Sequence, residues 1–336
     1  MIQSFTVTNH NGRSMVCDLA NPWKEGLAVA SIEGLGPGQA TINVADISSM
    51  DGGLFNSARR GSRNIVFNLV FTDHDTLTIE DIRRKCYTYF PLKKNVKLKF
   101  TTSDGKTLKD YYIDGYVESN EPNIFSSSEG STVSVICPNP NFYRGVVQQN
   151  VFSLTANPTF VFGAYDQDPY FWRDSQADPQ TKLRMGDIVS FIICDMVYEG
   201  TADAGLVFEI VFNSSVEYDP TDTPEPMIRI TNSLTNTENY ISLNKIYETM
   251  KARDDIGETY TGIVSGDVLE FSTVQGRKYL TYVHDGVSYN MLHAVKLTTN
   301  GDWVYLSEGN NILGIEKPSD VKITASSTNR IYFTGV

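Results

Sequence analysis

A mainly β chain in two domains is what this sequence predicts, and three observations carry the reading. Tyrosine and phenylalanine are abundant, 18 and 17 of 336 residues, as suits pleated, half-buried surfaces. Short apolar runs, several of them alternating with polar residues, recur between Asp-Gly and Gln-Gly turn signals. The stretch Ser131–Tyr143 (STVSVICPNPNFY) then reads as the close of one domain. Thr132–Cys137 suits a strand, and Pro138 and Pro140 end it, because each ring fixes φ and removes a ladder donor. From about Arg144 the chain changes character. With roughly 150 residues per domain, the expected divisions are 1–145 and 150–336.

In the first domain, the N-terminal MIQSFTVTNHNGRSM alternates and lacks a basic segment before an apolar one, so it reads as a first strand and not a signal peptide. Asn64–Phe71 (NIVFNLVF) is almost wholly apolar and reads as a strand covered on both faces. Asp73–Asp75 turns the chain. Thr78–Phe90 reads as a helix, with Ile79, Ile82, Cys86 and Tyr89 on one stripe and Pro91 as its stop. Arg83, Arg84 and Lys85 lie largely off that stripe, as a solvated face would. Val96–Phe100 alternates with its lysines on the open face, Asp104-Gly105 signals a hairpin, and Tyr112–Val117 carries a second such signal at Asp114-Gly115.

Beyond the boundary, Val151–Phe162 alternates again, and Asp166–Gln180 is a polar loop holding Tyr170, Phe171 and Trp172. Ile188–Cys194 and Leu206–Phe212 are apolar strand-like runs, the second continuous enough to be central in a sheet. Asp219–Pro226, with three prolines and three carboxylates, reads as an exposed loop. Ser242–Arg253 reads as a second helix, with Ser242 as N-cap and Leu243, Ile246, Tyr247 and Met250 on one stripe. Gly266–Leu297 gives strand, Gln-Gly turn, strand, Asp-Gly turn, strand, and Gly301–Ile315 closes it.

Composition narrows the function classes. A net charge of −12 argues against a nucleic-acid clamp, which needs Lys and Arg facing phosphate. No segment approaches 18 consecutive apolar residues, so no membrane span is expected. Cys17, Cys86, Cys137 and Cys194 have neither metal-ligand nor redox spacing and read as reduced core thiols made in a cytoplasm.

Catalytic and metal motifs fail in turn. Gly105-Lys106-Thr107 lacks the glycine that a phosphate loop needs five positions earlier, where Phe100 stands. Gly34-Leu35-Gly36-Pro37-Gly38 lacks dinucleotide spacing and reads as a flexible loop, one that packs against a neighbouring subunit. The histidines His10, His74, His284 and His293 form no HExxH pair. His74 between two aspartates reads as a solvated turn, and His284 as a hairpin residue. No serine lies in a GxSxG elbow. Asn213-Ser214-Ser215 matches a glycosylation acceptor, which carries no weight without a signal peptide. No catalytic residue, metal or cofactor is expected. Tyr170, Phe171 and Trp172 have two readings, a saccharide-stacking surface and a hydrophobic plug that anchors its own loop. Trp303, between apolar neighbours, reads as core.

The order of basic helix, YFPLK, lysine-alternating strand, DYYIDGYVES and the Cys-Pro-x-Pro-x-Phe-Tyr corner resembles the first domain of distal tail proteins from long-tailed phages. The Gly-Asp-Val-Leu-Glu strand, the Asp-Gly hairpin, Asp-Trp and the Gly-Asn-Asn corner resemble the C-terminal part of the same phage tail family. The resemblance implies a belt β-sandwich with one helix and a hairpin arm, with Gly52–Ser62 a loop leading into its first long strand. A galectin-like jelly-roll β-sandwich follows. It further implies a structural virion protein, a ring of six subunits at the tail tip. Tail-tube protein would lie on one face of the ring and a tail-associated hub or lysin protein on the other. Receptor-binding proteins would lie nearby, and DNA would pass through an acidic lumen without specific binding. Arg83, Arg84 and Lys85 would then pair with acidic residues of an adjacent protomer. The competing class is a carbohydrate-binding module that contacts cell-wall saccharide through the second domain, with a tail-bound hydrolase as a third.

Overall fold

The computed structural model describes residues 1–48, 51–72, 76–125, 128–154, 190–216, 225–298, 301–318 and 321–336. The expected turn at Asp73–Asp75, the loop Asp166–Gln180 and most of Asp219–Pro226 and Val151–Phe162 lie outside these residues. Strands dominate, and the fold is mainly β. Two compact units divide the chain. The first comprises Met1–Val147, Gly200–Ala202 and Arg330–Val336, and the second Gln148–Glu199 and Asp203–Asn329.

The first unit contains β1 (Ile2–Asn9), β2 (Ser14–Asp18), β3 (Leu27–Glu33), β4 (Ala40–Asp46), β5 (Gly53–Arg60), β6 (Arg63–Phe71), α1 (Ile79–Tyr89), β7 (Asn95–Ser103), β8 (Leu108–Asn123), β9 (Gly130–Cys137) and the start of β10 (Phe142–Val151). The antiparallel order is β2-β1-β7-β8, continuing through β9-β6-β3. The 16-residue β8 serves both halves: β7 runs along one side, while β10 at Tyr112 and β9 from Tyr116 onward share the other. The pairing of β8 with β9 shifts register between Val117 and Ser119. Phe5, Phe67, Phe90, Phe100 and Phe142 form a ring cluster at centroid separations of 5.1–6.4 Å.

Local chemistry explains α1. Thr78 Oγ1 accepts from the Asp81 N–H, and the Asp81 carboxylate accepts from the Thr78 N–H, a reciprocal capping box. Ile82 and Cys86 are its buried side chains. Three expectations change. β6 alternates, with Ile65, Phe67, Leu69 and Phe71 buried and the residues between them facing outward, because its sheet is covered on one face. Asp114-Gly115 is no turn and lies inside β8. A Cβ on Gly115 would come within 2.6 Å of Val135 and 2.8 Å of Cys137 Sγ, so close strand packing selects the glycine there. Gly53–Arg60, expected as loop, is strand β5.

The second unit contains β11 (Ser153–Leu154), β12 (Ser190–Tyr198), β13 (Ala204–Gly205), β14 (Val207–Phe212), β15 (Met227–Asn232), β16 (Thr237–Ser242), α2 (Leu243–Lys251), β17 (Val268–Ser272), β18 (Tyr279–His284), β19 (Val287–Asn290), β20 (Val295–Leu297), β21 (Tyr305–Leu306), β22 (Gly309–Lys317) and most of β23 (Ile323–Phe333). Its sheets run β19-β18-β17-β14-β23 and β11-β12-β22-β15-β16-β20. β14 is central, as its apolar run predicts. Phe208, Ile210, Leu269 and Phe271 are buried from one sheet, and Ile228, Ile230, Ile241 and Ile315 from the other. Ser242 caps α2 by accepting from the Lys245 N–H. Asp285 and Gly286, with φ of 50° and 76°, make the β18–β19 turn. Asn311, fully buried, donates to the Ser307 carbonyl at 2.8 Å and holds the Gly-Asn-Asn corner. Trp303 is half-buried rather than core, stacked on Phe271 at 5.8 Å with Lys278 Nζ 4.6 Å from its ring.

Candidate assembly surfaces

Among the described residues strands β4 and β5 pair only with each other, and every residue in them is exposed. Their sequence explains the hairpin: ATINVAD alternates, and Asp51-Gly52 precedes the second strand, with Gly52 at φ 98°. Ile42 faces Ala58 and Val44 faces Phe55 across the ladder, so these four share one face; Ala45 and Leu54 pair on the other. Asn43 donates to Ser57 Oγ at 2.9 Å, beside a register shift between Asn43 and Val44. Phe55 is 63% exposed, and Ile42, Val44 and Leu54 are each more than half exposed. An isolated two-stranded hairpin is marginal in water, and fully burying each such side chain is worth about 1.5–3 kcal/mol. On its own, the arm leaves these four side chains without that gain. Sequence reading missed these residues, although the alternation and the Asp51-Gly52 signal were there to find them.

The root of the arm is held differently. Arg63, 5% exposed, donates from Nε to the Pro140 carbonyl at 2.7 Å, from Nη1 to the carbonyls of Gly34 and Gly36, and from Nη2 to that of Thr334. Its guanidinium carbon lies 4.7 Å from the Phe142 ring centroid. Burial lowers its pKa, with the charge of Arg60 acting the same way and Cys137 opposing. The Gly34–Gly38 loop is thus tied within its own chain.

The basic residues of α1 also have partners in this chain. Arg83 Nη1 lies 3.9 Å from Glu129, and Arg84 Nη2 bonds Glu80 at 2.7 Å one helical turn away. Lys85 is likewise engaged. A shallow depression of about 250 Å³ on the first unit is lined by Gln3, Ser4, Val16, Asp18, Lys24, Thr101 and Leu108. Tyr170, Phe171 and Trp172 lie outside the described residues, as does His74.

His284 proves to be more than a turn residue. Its Nδ1 lies 2.9 Å from Asp267 Oδ1, and the buried Asp267 carboxylate also accepts from the Val264 N–H and the Tyr282 hydroxyl. Burial, then the bond to Asp267, pushes the Tyr282 hydroxyl far above the usual tyrosine range. These bonds join β18 to the start of β17. Among the described residues no group of three His, Cys, Asp or Glu side chains is placed to hold a metal. No helix among them is long and apolar enough to cross a membrane.

Charge divides unevenly. The first unit carries 16 basic and 15 acidic side chains, net +1, and the second 12 and 25, net −13. The acidity of the chain belongs to its second unit.

Neither the protein-family models nor the curated proteins contain a match to this sequence. Among solved structures, the crystal structure of SPP1 Dit, described as a paradigm of the hub adsorption apparatus in phages infecting Gram-positive hosts, aligns with 98% of this chain and 99% of its own. The TM-score is 0.51 at 13% identity. The chain has the SPP1 Dit fold. The likeness to Dit spans both units, from the strands that carry the arm to the sheets of the second unit. Two structures of the phage P2 baseplate in its activated conformation, with calcium and with strontium, also align at 13% identity. They cover 98% and 96% of this chain and 98% and 97% of theirs, and at TM-scores of 0.38 and 0.36 they add nothing to the Dit likeness.

Proposed function

We propose that this chain is a distal tail protein of a long-tailed phage, a structural part of the tail tip that closes into a ring of six. The exposed arm β4–β5 is the observation that carries the reading. A hairpin with Ile42, Val44, Leu54 and Phe55 in water serves a self-closing, heterologous contact in which one copy's arm covers a different surface of the next. Tail-tube protein would sit on one face of the ring and a hub protein on the other, with receptor-binding proteins beside them and DNA passing through the lumen. The first unit, at net +1, does not by itself supply the acidic lumen that the total charge suggests. The role is mechanical and not enzymatic, needs no cofactor, and belongs to the virion after synthesis in the host cytoplasm.

Light scattering followed by negative-stain imaging tests this. A six-subunit particle with a central hole is expected. A species that stays monomeric at every soluble concentration, and leaves no rings on the grid, overturns self-assembly through the arm.

The alternative, a saccharide-binding module, draws on Tyr170, Phe171 and Trp172 in the sequence alone. A glycan array comparing the parent with Trp172→Ala decides it: loss of binding with retained fold supports the module, and absence of binding in the parent removes it.

A further inference from the structure

We infer that Arg63 and the returning segment 334–336 form a clamp that sets the direction in which the arm leaves the first unit. The inference rests on the arm being the assembly element, as proposed above, but concerns its aim and not its partner.

The arm joins the unit by two short connections. Residues 34–39 lead into β4, and Gly61-Ser62 lead out of β5 to Arg63. The arm's ladder is internal, so its direction depends on how those connections are fixed. Arg63 stands at the outgoing connection, and its Nη1 holds the carbonyls of Gly34 and Gly36 in the incoming one. The same guanidinium reaches the Thr334 carbonyl through Nη2 and the Pro140 carbonyl through Nε. The Val336 N–H donates to the Leu35 carbonyl at 3.0 Å, which fixes the incoming connection a second time. Gly34 is held at φ +83°, where a Cβ would meet the Asn64 carbonyl oxygen at 2.1 Å, so this turn has one shape open to it.

Only a planar, multi-donor cation suits such a node. Four carbonyls in different directions need donors that diverge from a rigid plane, which arginine has and lysine lacks. Among the described residues every hydrogen bond of Arg63 goes to a backbone carbonyl. The side chain therefore reads chain path, and no acidic partner is needed to keep it in place. Segment 334–336 is a working part of the arm's root.

Nitroxides at Asn56→Cys in the arm and Lys106→Cys in the β7–β8 turn, both exposed positions, test the clamp. The native thiols are all buried, so the two added ones label selectively. Double electron–electron resonance, with labelled chain diluted in unlabelled, should give one narrow distance distribution in the parent. Arg63→Lys, and separately a chain ending at Phe333, should broaden it roughly twofold while circular dichroism stays unchanged, as local loosening without global unfolding requires. Equal widths in parent and variants overturn the clamp, and the shortened chain decides the matter if Arg63→Lys does not fold. Broadening in the variants of a parent that never forms rings keeps the clamp and removes the ring. Rings from a parent whose variants show no broadening do the reverse.

Discussion

Arg63 Nη2 donates to the Thr334 carbonyl across 271 positions of sequence. Removing that node strips four carbonyls of their donor at once. Arg63→Met should cost about 1–3 kcal/mol, the range for leaving a buried hydrogen-bonding group unsatisfied. Urea unfolding followed by a probe in the first unit would register it, and a loss under about 1 kcal/mol would show the carbonyls finding water instead.

Phe55 and Val44 face each other on the arm and touch water. Replacing both with aspartate should leave the monomer's stability within about 0.5 kcal/mol, as surface changes do. Particle mass should fall to that of the monomer. Loss of stability with assembly intact would place these side chains in the wrong role.

Gly115→Ala puts a methyl against Val135 and Cys137 in a filled core. Overpacking of this kind costs about 1–3 kcal/mol. A thermal melt should show the drop; an unchanged melting temperature would mean that β8 and β9 can part without penalty.

Burial pushes the thiols of Cys86 and Cys137 up to about 12 from an ordinary 9.0. Both stay protonated when folded at pH 8, so alkylation should reach neither until the chain is unfolded, by intact mass. The sign of the linkage follows: above pH 9 the unfolded chain ionises its thiols while the folded one does not. Their contribution is complete below about 9 and lost as pH rises through about 12. Cys86→Ala should flatten the stability profile in that window, and an identical profile would assign the alkaline loss elsewhere.

What the sequence disclosed was local. Ser242 announces its helix because a cap is chemistry between residues three apart, and Asp285-Gly286 announces its turn because positive φ is a property of one or two residues. The same signal at Asp114-Gly115 misleads, since there the glycine answers to β9 and not to its neighbours. The arm was hidden for another reason: alternation shows that a strand has an apolar face without saying whether its own chain covers it. Arg63 gave no sign at all, because its partners are carbonyls, which every residue has. Arg84 is exposed and pairs with Glu80, whereas Arg83 is half-buried beside Glu129, a long-range pairing that helix periodicity does not reveal.

The second unit lies, in chain order, almost wholly between the first unit and that unit's last segment. At about 5–20 residues per second, Arg330 is made on the order of 10–40 s after Val147. Nascent chains on one messenger thus carry arms whose roots lack Thr334 until well after the second unit is begun. In the proposed ring, the root of each arm is therefore clamped only after its own second unit has been made.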